Sequence, residues 1–289
     1  MTHNINALSV DVEDWFQVGA FETTIHRKDW YKLAPRVERN TDVLLDMFAR
    51  RNVKATFFTL GWVAERHPQL IRRIVDAGHE LASHGYDHQR VFTLTPDQFR
   101  ADLRKTRDLL EQAGGTAVIG YRAPSFSIDA RTPWAHAILA EEGYRYSSSV
   151  APVKHDHYGW PQAPRFAFRP IGDSELLELP VTTARLFGRT VAAGGGGFFR
   201  LFPYAFSRWA VRQVNQNAGR PAILYFHPWE IDPDQPRVAN APLKSRLRHY
   251  TNLSVMGSKL ERLIDDFEWT RVDNLIDAQG RGAPCWPAH

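Results

Sequence analysis

The chain of 289 residues contains a single cysteine, Cys285, so it cannot form a disulfide bond within itself. Residues 1–6 contain neither the basic nor the apolar segment of a secretory signal peptide. No apolar run approaches the roughly 20 residues that cross a bilayer, and no dense run of lysine and arginine indicates nucleic-acid binding. These absences predict a cytoplasmic protein with no transmembrane segment and no nucleic-acid partner.

The composition is that of an ordinary globular protein, with 43% hydrophobic and 24% charged residues. The formal net charge is +4 and the pI is about 9.2, which allows a weak preference for anionic glycans or surfaces. We find no internal repeat, linker or low-complexity tail, and α/β barrels of this length are often one domain. The chain is therefore predicted to form one domain over residues 1–289, and its oligomeric state is open.

Short apolar runs alternate with segments of helical periodicity along most of the chain. Strands are predicted for residues 7–12, 53–60, 79–82, 118–121, 144–148, 175–179, 221–226 and 269–272. Helices are predicted for residues 35–51, 68–77, 95–112, 132–142, 203–216 and 255–267. This alternation predicts parallel strands joined by crossover helices.

Two histidines, His84 and His88, follow one of these predicted strands. A separation of four residues is typical of a pair of metal ligands. The zincin motif shares this spacing but requires a glutamate directly after the first histidine, where this chain has Gly85. The pair alone leaves two alternatives open, namely a metal site and two histidines that only form hydrogen bonds.

Polar side chains end four of the predicted strands. They are Asp11, Glu13 and Asp14, then His84 and His88, then Arg122, and finally His227. Barrel enzymes carry their active sites at the C-terminal ends of their strands. Two histidines and one carboxylate leave a zinc-like ion with an open coordination position, and a second carboxylate and another histidine are then available as general base and acid.

At these positions the sequence resembles the NodB-type polysaccharide deacetylases, carbohydrate esterase family 4. The family motif Thr-Phe-Asp-Asp-Gly is similar to residues 9–14, and His-Ser/Thr-x-x-His is similar to residues 84–88. Arg-x-Pro matches residues 122–124, and Leu-x-His is similar to residues 224–227 with one extra residue, while the fourth motif has no clear counterpart. More narrowly, residues 11–16 resemble the deacetylases encoded beside exosortase and exopolysaccharide genes.

The resemblance implies a distorted (β/α) barrel of the seven-stranded NodB type, with a segment particular to the narrower group at about residues 228–289. It implies metal-dependent hydrolysis of N-acetyl groups on N-acetylglucosamine-type sugars, in an exopolysaccharide or its precursor. The cofactor would be a divalent metal, zinc first and cobalt or nickel as alternatives, because affinity order alone does not select among them. The partner would be an N-acetylated glycan.

The resemblance also assigns roles to individual residues. Asp11 would be the general base for the attacking water, and Arg122 would pair with Asp11, lower its pKa and orient it. His227 would be the general acid that protonates the leaving amine. His84 and His88 would be metal ligands.

The third metal ligand is open, because the first motif departs from the adjacent aspartates of the family. Side chains alternate along a strand, so Glu13 faces the same way as the general base if the strand continues, which favours Glu13. If the chain bends there, Asp14 takes the role. The backbone N–H of Ser125 would help to hold the oxyanion, and Trp15 and Phe126 are candidates for contacts with substrate.

Two other functions fit the same motifs less well. A small-amide hydrolase of the allantoinase type would use the same scaffold, but Asp11, Arg122 and His227 are all present and favour sugar deacetylation. A carbohydrate-binding protein without catalysis would not need this set of residues.

Three further segments have no assigned role. Residues 194–197 are four glycines without the Gly-Lys-Ser/Thr of a P-loop, and we interpret them as a flexible or closely packed loop near the site. His155 and His157 are interpreted as loop histidines. Residues 249–252 are interpreted as structural.

Overall fold

The computed structural model describes residues 5–154, 158–172 and 174–286. Among these residues, no helix combines the length and the apolar character needed to cross a bilayer. His155 and His157 lie outside the described residues.

The described residues form ten strands in chain order. They are β1 (Asn6–Val12), β2 (Thr56–Thr59), β3 (Glu80–Ser83), β4 (Gly120–Tyr121), β5 (Tyr146–Ser147), β6 (Leu177–Glu178), β7 (Thr183–Leu186), β8 (Arg189–Ala192), β9 (Ile223–Phe226) and β10 (Trp269–Thr270). All except β7 and β8 belong to one sheet in which every pairing is parallel. The prediction of parallel strands is confirmed.

Seven strands of this sheet follow the order β10-β1-β2-β3-β4-β5-β6, and β9 also pairs with β1. The segment after β6 reaches β9, since the Thr182 amide donates to the Ile223 carbonyl at 3.1 Å. The sheet therefore curls round toward closure, as predicted for a distorted (β/α) barrel of the NodB type. All seven residues of β1 are buried, which agrees with its place among three pairing partners.

Helices pack around the sheet and connect its strands. They are α1 (Val37–Arg50), α2 (Gly61–Arg66), α3 (Pro68–Asp76), α4 (Pro96–Gly114), α5 (Ala135–Glu141), α6 (Gly196–Leu201), α7 (Tyr204–Asn217), α8 (Leu243–Tyr250), α9 (Leu253–Asp266) and α10 (Ile276–Gly280). Buried leucines, isoleucines, valines and aromatic residues of these helices and of the strands form the core.

The start of α4 shows how the sequence sets a helix boundary. The Thr95 hydroxyl accepts a hydrogen bond from the Gln98 amide at 3.2 Å, and the Gln98 side chain accepts one from the Thr95 amide at 2.9 Å. This reciprocal capping satisfies two amides that the helix leaves unpaired, and Pro96 needs no partner because it has no N–H. At the other end Gly115 adopts φ +67°, the left-handed conformation of a helix C-cap.

The structure contains elements that the sequence patterns do not predict. β7 and β8 form an antiparallel hairpin, α8 lies in the proline-rich region after the last motif, and α6 begins inside the glycine run. Gly195 and Gly196 lie close to Tyr225. A Cβ at Gly195 would lie 2.0 Å from the Tyr225 carbonyl oxygen, and a Cβ at Gly196 would lie 2.8 Å from the Tyr225 hydroxyl. The glycine run is therefore closely packed rather than flexible, and glycine is required by this approach.

Candidate active site

Asp11 lies near the C-terminal end of β1 and forms a buried ion pair with Arg122, which directly follows β4. The Arg122 Nη1 atom is 2.7 Å from Asp11 Oδ1. The same guanidinium donates to the hydroxyls of Ser9 and Ser148 at 2.8 and 3.0 Å and to the Ser148 carbonyl at 3.2 Å. A buried guanidinium with this many partners is fixed in position, so Arg122 holds the Asp11 carboxylate in one orientation.

Glu13, His84 and His88 form a buried cluster beside this ion pair. Each offers one ligand atom, and these atoms lie within 4.8 Å of one another. A carboxylate and two imidazoles are ligands that zinc and similar divalent metals accept, with room for further ligands. Of the two carboxylates left open by the sequence, the structure brings Glu13 to the histidines.

The imidazole of His84 is oriented by a backbone contact. Its Nδ1 atom lies 2.8 Å from the Arg122 carbonyl oxygen, so this nitrogen carries the proton and Nε2 is left as the acceptor. Burial lowers the pKa of His84 to about 4, so the ring is neutral at neutral pH. A neutral histidine with its second nitrogen tied to a carbonyl is prepared to bind a metal.

His88 reaches the cluster because its backbone is in the left-handed region, with φ +59°. This conformation costs a non-glycine residue roughly 1–2 kcal/mol. Arg27 holds the turn by donating to the carbonyls of Asp87 at 2.8 Å and of His88 at 3.2 Å. Gly85 at φ +74° also needs this region, which accounts for a glycine where the family motif has serine or threonine.

The charge and the contacts of the Glu13 carboxylate indicate whether a metal fits this cluster. Burial would raise its pKa, but the charges of His88 and His227 outweigh burial and lower the pKa to about 2. Its Oε2 atom is buried and has no hydrogen-bond partner among the described residues, although His88 Nε2 is only 3.0 Å away. A buried, ionised oxygen that lies beside imidazoles and forms no hydrogen bond of good geometry fits a site that a cation completes.

Asp14, the other candidate ligand, lies outside this cluster. Its carboxylate accepts hydrogen bonds from the backbone amides of Trp15, Arg36 and Val37 at 2.7 to 3.0 Å. The last two amides belong to the N-terminus of α1, so Asp14 caps that helix and ties it to the end of β1. Burial raises the pKa of Asp14 to about 6, although these amides oppose the shift.

His227 directly follows β9 and faces the cluster from the other side of the site. Its Nε2 atom is 3.5 Å from Glu13 Oε1, and its Nδ1 atom is 3.0 Å from Glu230 Oε2. Burial would lower the pKa of His227, but Glu230, followed by Glu13 and Asp11, raises it to about 9. The side chain is 17% exposed, so a protonated imidazole is accessible from the cleft.

Glu230 is itself held by Arg200 of α6. Arg200 Nε donates to Glu230 Oε1 at 2.7 Å, and the rest of the guanidinium donates to the carbonyls of residues 248, 249 and 251 at 2.8 to 3.0 Å. Burial would raise the pKa of Glu230, but Arg200 and His227 lower it to about 2. The chain Arg200–Glu230–His227 therefore fixes both the orientation and the charge of the histidine.

Ser125 and Phe126 lie beside the cluster in a short turn after β4. Both have positive φ angles, +54° and +49°, which is unusual for residues other than glycine. The Phe126 ring packs edge-on against Tyr225 at a centroid distance of 4.8 Å.

Trp15, by contrast, is a core residue. It is buried in the main hydrophobic cluster, and its indole N–H donates to the Ala34 carbonyl at 3.2 Å. Trp15 is therefore not brought to the residues that line the cleft. Trp229 is found near the site instead, with its indole N–H donating to Glu13 Oε1 at 3.2 Å and its ring stacked on His227 at 5.1 Å.

The candidate residues line a cleft of about 430 Å³. Its lining includes Asp11, Glu13, His84, His88, Ser125, Phe126 and His227. The volume is in the range of small-molecule sites. One wall comes from α8 and the residue before it, which contribute Pro242, Ser245 and Arg248.

Sequence reasoning missed two contributors to this site, Glu230 and Arg200. Glu230 could have been found, since it follows His227 by three residues and opens a short helical turn with it. Arg200 carries no such signal, because its partners lie 30 to 51 residues away. Residues 249–252, interpreted as structural, provide two of the carbonyls that hold Arg200.

Comparison with family models divides the chain into two matched regions. Residues 29–147 match the model of the polysaccharide deacetylases. Residues 148–277 match a domain of unknown function, DUF3473. Asp11 and Glu13 precede the first region, His84, His88 and Arg122 lie in it, and the second contains His227, Glu230 and Arg200.

Curated relatives match short parts of the chain. A peptidoglycan-N-acetylglucosamine deacetylase from Bacillus cereus is 37% identical over 84 residues, which are 29% of this chain and 30% of the relative. A peptidoglycan deacetylase from Helicobacter pylori is 33% identical over 107 residues, 37% of this chain and 36% of the relative. Chitin deacetylase 1 from Cryptococcus neoformans is 27% identical over 126 residues, 42% of this chain and 26% of the relative. The chain thus spans about a third or less of the length of these relatives.

Solved structures match nearly the whole chain at low identity. A protein from Mycobacterium smegmatis assigned to the polysaccharide deacetylases has a TM-score of 0.64 and 20% identity, covering 99% of this chain and 94% of its own. One from Pseudomonas aeruginosa with the same assignment has a TM-score of 0.61 and 17% identity, covering 96% and 91%. A CE4 family pseudoenzyme from Bacillus anthracis has a TM-score of 0.50 and 16% identity, covering 96% and 66%. These matches confirm the predicted fold, and because a pseudoenzyme has it too, the fold alone does not decide activity.

Proposed function

We propose that this chain, related to the polysaccharide deacetylases through residues 29–147, is a metal-dependent N-deacetylase of N-acetylglucosamine-type sugars. The observation that carries the proposal is the convergence in one cleft of Glu13, His84 and His88 with Asp11 on one side and His227 on the other. Relatives named peptidoglycan and chitin deacetylases support the reaction type. Hydrolysis would release acetate and leave a free amine on the sugar.

Glu13, His84 and His88 would hold the divalent metal, with Zn²⁺ as the first candidate and Co²⁺ or Ni²⁺ as alternatives. When bound, the metal would lower the pKa of a water molecule and polarise the acetyl carbonyl. Asp14 is assigned to helix capping in this proposal.

Asp11 would act as the general base. Its second carboxylate oxygen is left to accept a proton from the attacking water, because Arg122 holds the first. Arg122 keeps the carboxylate aimed into the cleft and is fully buried, so it does not compete for substrate. Positioned proton transfer of this kind contributes roughly 10²–10⁴-fold to a rate.

His227 would act as the general acid. Its Nδ1 atom is engaged by Glu230, so its Nε2 atom, facing Glu13 and the cleft, is the one that can donate a proton to the leaving nitrogen. The pKa of about 9 keeps the ring protonated at neutral pH. Ser125 would donate its backbone N–H to the carbonyl oxygen as negative charge develops there, and Phe126 would exclude water beside it.

We further propose that the natural substrate belongs to an exopolysaccharide or its precursor, as the resemblance of residues 11–16 suggests, and that residues 1–289 act as one domain. The second part of this proposal is supported by β9 and β10, which lie in the region matched by DUF3473 and pair with β1. No observation on the site favours the small-amide hydrolase, and the intact set of candidate residues speaks against a binding protein without catalysis.

The test is acetate release from N-acetylated chitooligosaccharides and from an acetylated exopolysaccharide, with and without a chelator. We expect release that the chelator abolishes and Zn²⁺ restores. Asp11→Asn serves as the matched control, since it removes the base and leaves Glu13, His84 and His88 in place. Absence of release from every acetylated sugar, with metal bound at equal stoichiometry, would overturn the proposal.

A further inference from the structure

The hairpin β7–β8 and helix α7 present an exposed surface that the proposed site does not use. We name it the aromatic–arginine face, and it consists of Arg185, Phe187, Arg189, Phe202, Trp209 and Arg212. It lies within residues 179–229, which contain six arginines and neither aspartate nor glutamate. Arg200 and Arg208 pair with Glu230 and Asp266, and the other four arginines, in a chain of net charge +4, give this region a local positive potential.

The tip of the hairpin projects a phenylalanine into solvent. Phe187 is 96% exposed and adopts φ +48°, and Gly188 follows at φ +76°, so the two residues form the tight turn that favours asparagine and glycine. Arg185 and Arg189 flank this tip. Phenylalanine at this position is unfavourable both for the backbone and for solvation, and no packing among the described residues compensates it.

Helix α7 and the residue pair before it extend the apolar surface. Phe202, Phe206 and Trp209 follow one another at helical spacing, with ring centroids 4.8 and 5.5 Å apart. Phe202 is 42% exposed and Trp209 is 37% exposed. A row of partly exposed aromatic rings beside arginines is common where proteins meet a partner or a membrane.

The hairpin and the helix form one continuous surface. Gln213, the next position along the same row of α7, accepts a hydrogen bond from the Arg185 amide at 2.7 Å and donates one to the Arg185 carbonyl at 2.9 Å. Ala184 and Ala210 pack together beneath this contact. The small side chains let the hairpin lie close to the helix, so the tip and the aromatic row share a fixed relative position.

We propose that the aromatic–arginine face docks the protein onto an anionic lipid bilayer. Phe187 and Trp209 would enter the interface between headgroups and acyl chains, while Arg185, Arg189 and Arg212 would bind the anionic headgroups. A lipid surface accounts for an isolated apolar tip better than a glycan does, because the arginines that flank Phe187 offer no hydrogen-bond acceptor to a sugar. The complete absence of acidic residues from 179–229 disfavours a second copy of this face as the partner.

Docking would also bring the cleft close to the bilayer. Arg200, which lines the cleft, and Phe202 lie two residues apart across the end of α6. The inference does not depend on the proposed deacetylase activity, because it rests on surface residues and is measured without substrate.

The test is co-sedimentation of the full chain with vesicles of phosphatidylcholine, with and without phosphatidylglycerol, at low and high salt. We expect binding only to the anionic vesicles, falling steeply with salt. Phe187→Ser should weaken the partition about ten-fold, and each of Arg185→Gln and Arg189→Gln about five-fold. Phe187→Leu should retain binding, because it keeps the apolar tip.

The matched control is Arg39→Gln with Val43→Ser, which removes one exposed arginine and one exposed apolar residue from α1. This variant should bind vesicles as the unchanged chain does. Equal binding to neutral and anionic vesicles, or binding that Phe187→Ser leaves unchanged, would overturn the proposal. So would Phe187-dependent dimers in sedimentation without lipid, or Phe187-dependent binding to soluble polygalacturonate that exceeds binding to vesicles.

Discussion

The two sides of the cleft hold their candidate residues by different means. Asp11 and Glu13 lie in and just after β1, and His84 directly follows β3, so the sheet itself sets their positions. His227 also follows a strand, but its ring is oriented by Glu230, which is in turn held by Arg200. The first arrangement depends on neighbours in the sheet, and the second depends on a relay of charged side chains.

Because of this difference, the two sides of the cleft tolerate different side-chain substitutions. A sheet pairs its strands through backbone hydrogen bonds, so most side-chain changes leave the positions of Asp11 and His84 intact. A buried relay loses its charge balance when any member is replaced. We therefore expect replacement of His84 to act mainly on chemistry, and replacement of a buried charge, either Asp11 beside Arg122 or Glu230 on the relay side, to act on chemistry and stability together.

The largest effect is expected from His84→Ala. Removal of this imidazole leaves two ligands, so bound metal should fall to a small fraction and acetate release should drop by more than about 10²-fold. Elemental analysis and acetate assays of the same preparation measure both. His67→Ala, whose ring pairs with Glu38 away from the cluster, is the control and should keep its metal, whereas full metal occupancy in His84→Ala would remove His84 from the ligand set.

Asp11→Asn should separate metal binding from catalysis. The amide cannot accept the proton, so acetate release should fall by about 10²–10⁴-fold while metal content stays unchanged. The buried Arg122 then loses its counter-charge, and the free energy of unfolding should fall by about 3 kcal/mol or more. Thermal denaturation monitors the second effect, and turnover near that of the unchanged chain would exclude Asp11 as the base.

Glu230→Gln tests the relay side. Glu230 raises the pKa of His227 to about 9, so a neutral glutamine should let this pKa fall, and the activity that needs the protonated ring should be lost at lower pH than before. We expect a loss of roughly 10- to 100-fold at neutral pH with metal retained. The pH–rate profile is the decisive measurement, because a purely structural role for Glu230 would lower the rate without moving the alkaline limb.

Asp14→Asn is expected to have the smallest effect on acetate release, and Glu13→Gln is the variant with which it is compared. Glu13→Gln should lose metal, whereas Asp14→Asn should keep it and lose about 1 kcal/mol of stability, since one cap of α1 is weakened. Metal content and chemical denaturation of both variants decide between the two carboxylates. Metal loss in Asp14→Asn alone would reverse the assignment.

The sequence led us to expect Glu13, His84 and His88 in one place because parallel strands bring their C-terminal ends together, and the structure groups these three residues. Once residues 9–14 and 84–88 were recognised as strand ends, the proximity of Glu13 and His84 followed. The choice between Glu13 and Asp14 depended on whether the chain bends after Val12, which alternation along a strand cannot decide. Here β1 ends at Val12, where the Glu13 amide donates to the Asp11 carbonyl at 3.1 Å, yet Glu13 reaches the histidines and the Asp14 carboxylate is directed at the amides of α1.

The relay side was less predictable for a physical reason. Arg200 sits in a run of glycines and phenylalanines that indicates close packing, and nothing local distinguishes a buried arginine from an exposed one. Its partners lie on segments brought together only by the tertiary fold. Trp15 lies in the core rather than in the cleft for a related reason, since proximity in sequence to a motif does not decide on which face a side chain lies.

The three pairings of β1 also have a consequence for how the chain acquires its structure. β1 pairs with β2 soon after it in the sequence, but its pairings with β9 and β10 join residues more than 200 positions apart. During synthesis, one edge of this strand therefore stays unpaired until residues 223–270 have left the ribosome. Contacts of such sequence separation close slowly, and an unpaired apolar edge is prone to aggregate in the meantime. Of the strands in this sheet, the one that carries Asp11 is made before the others and is among the last to be completed.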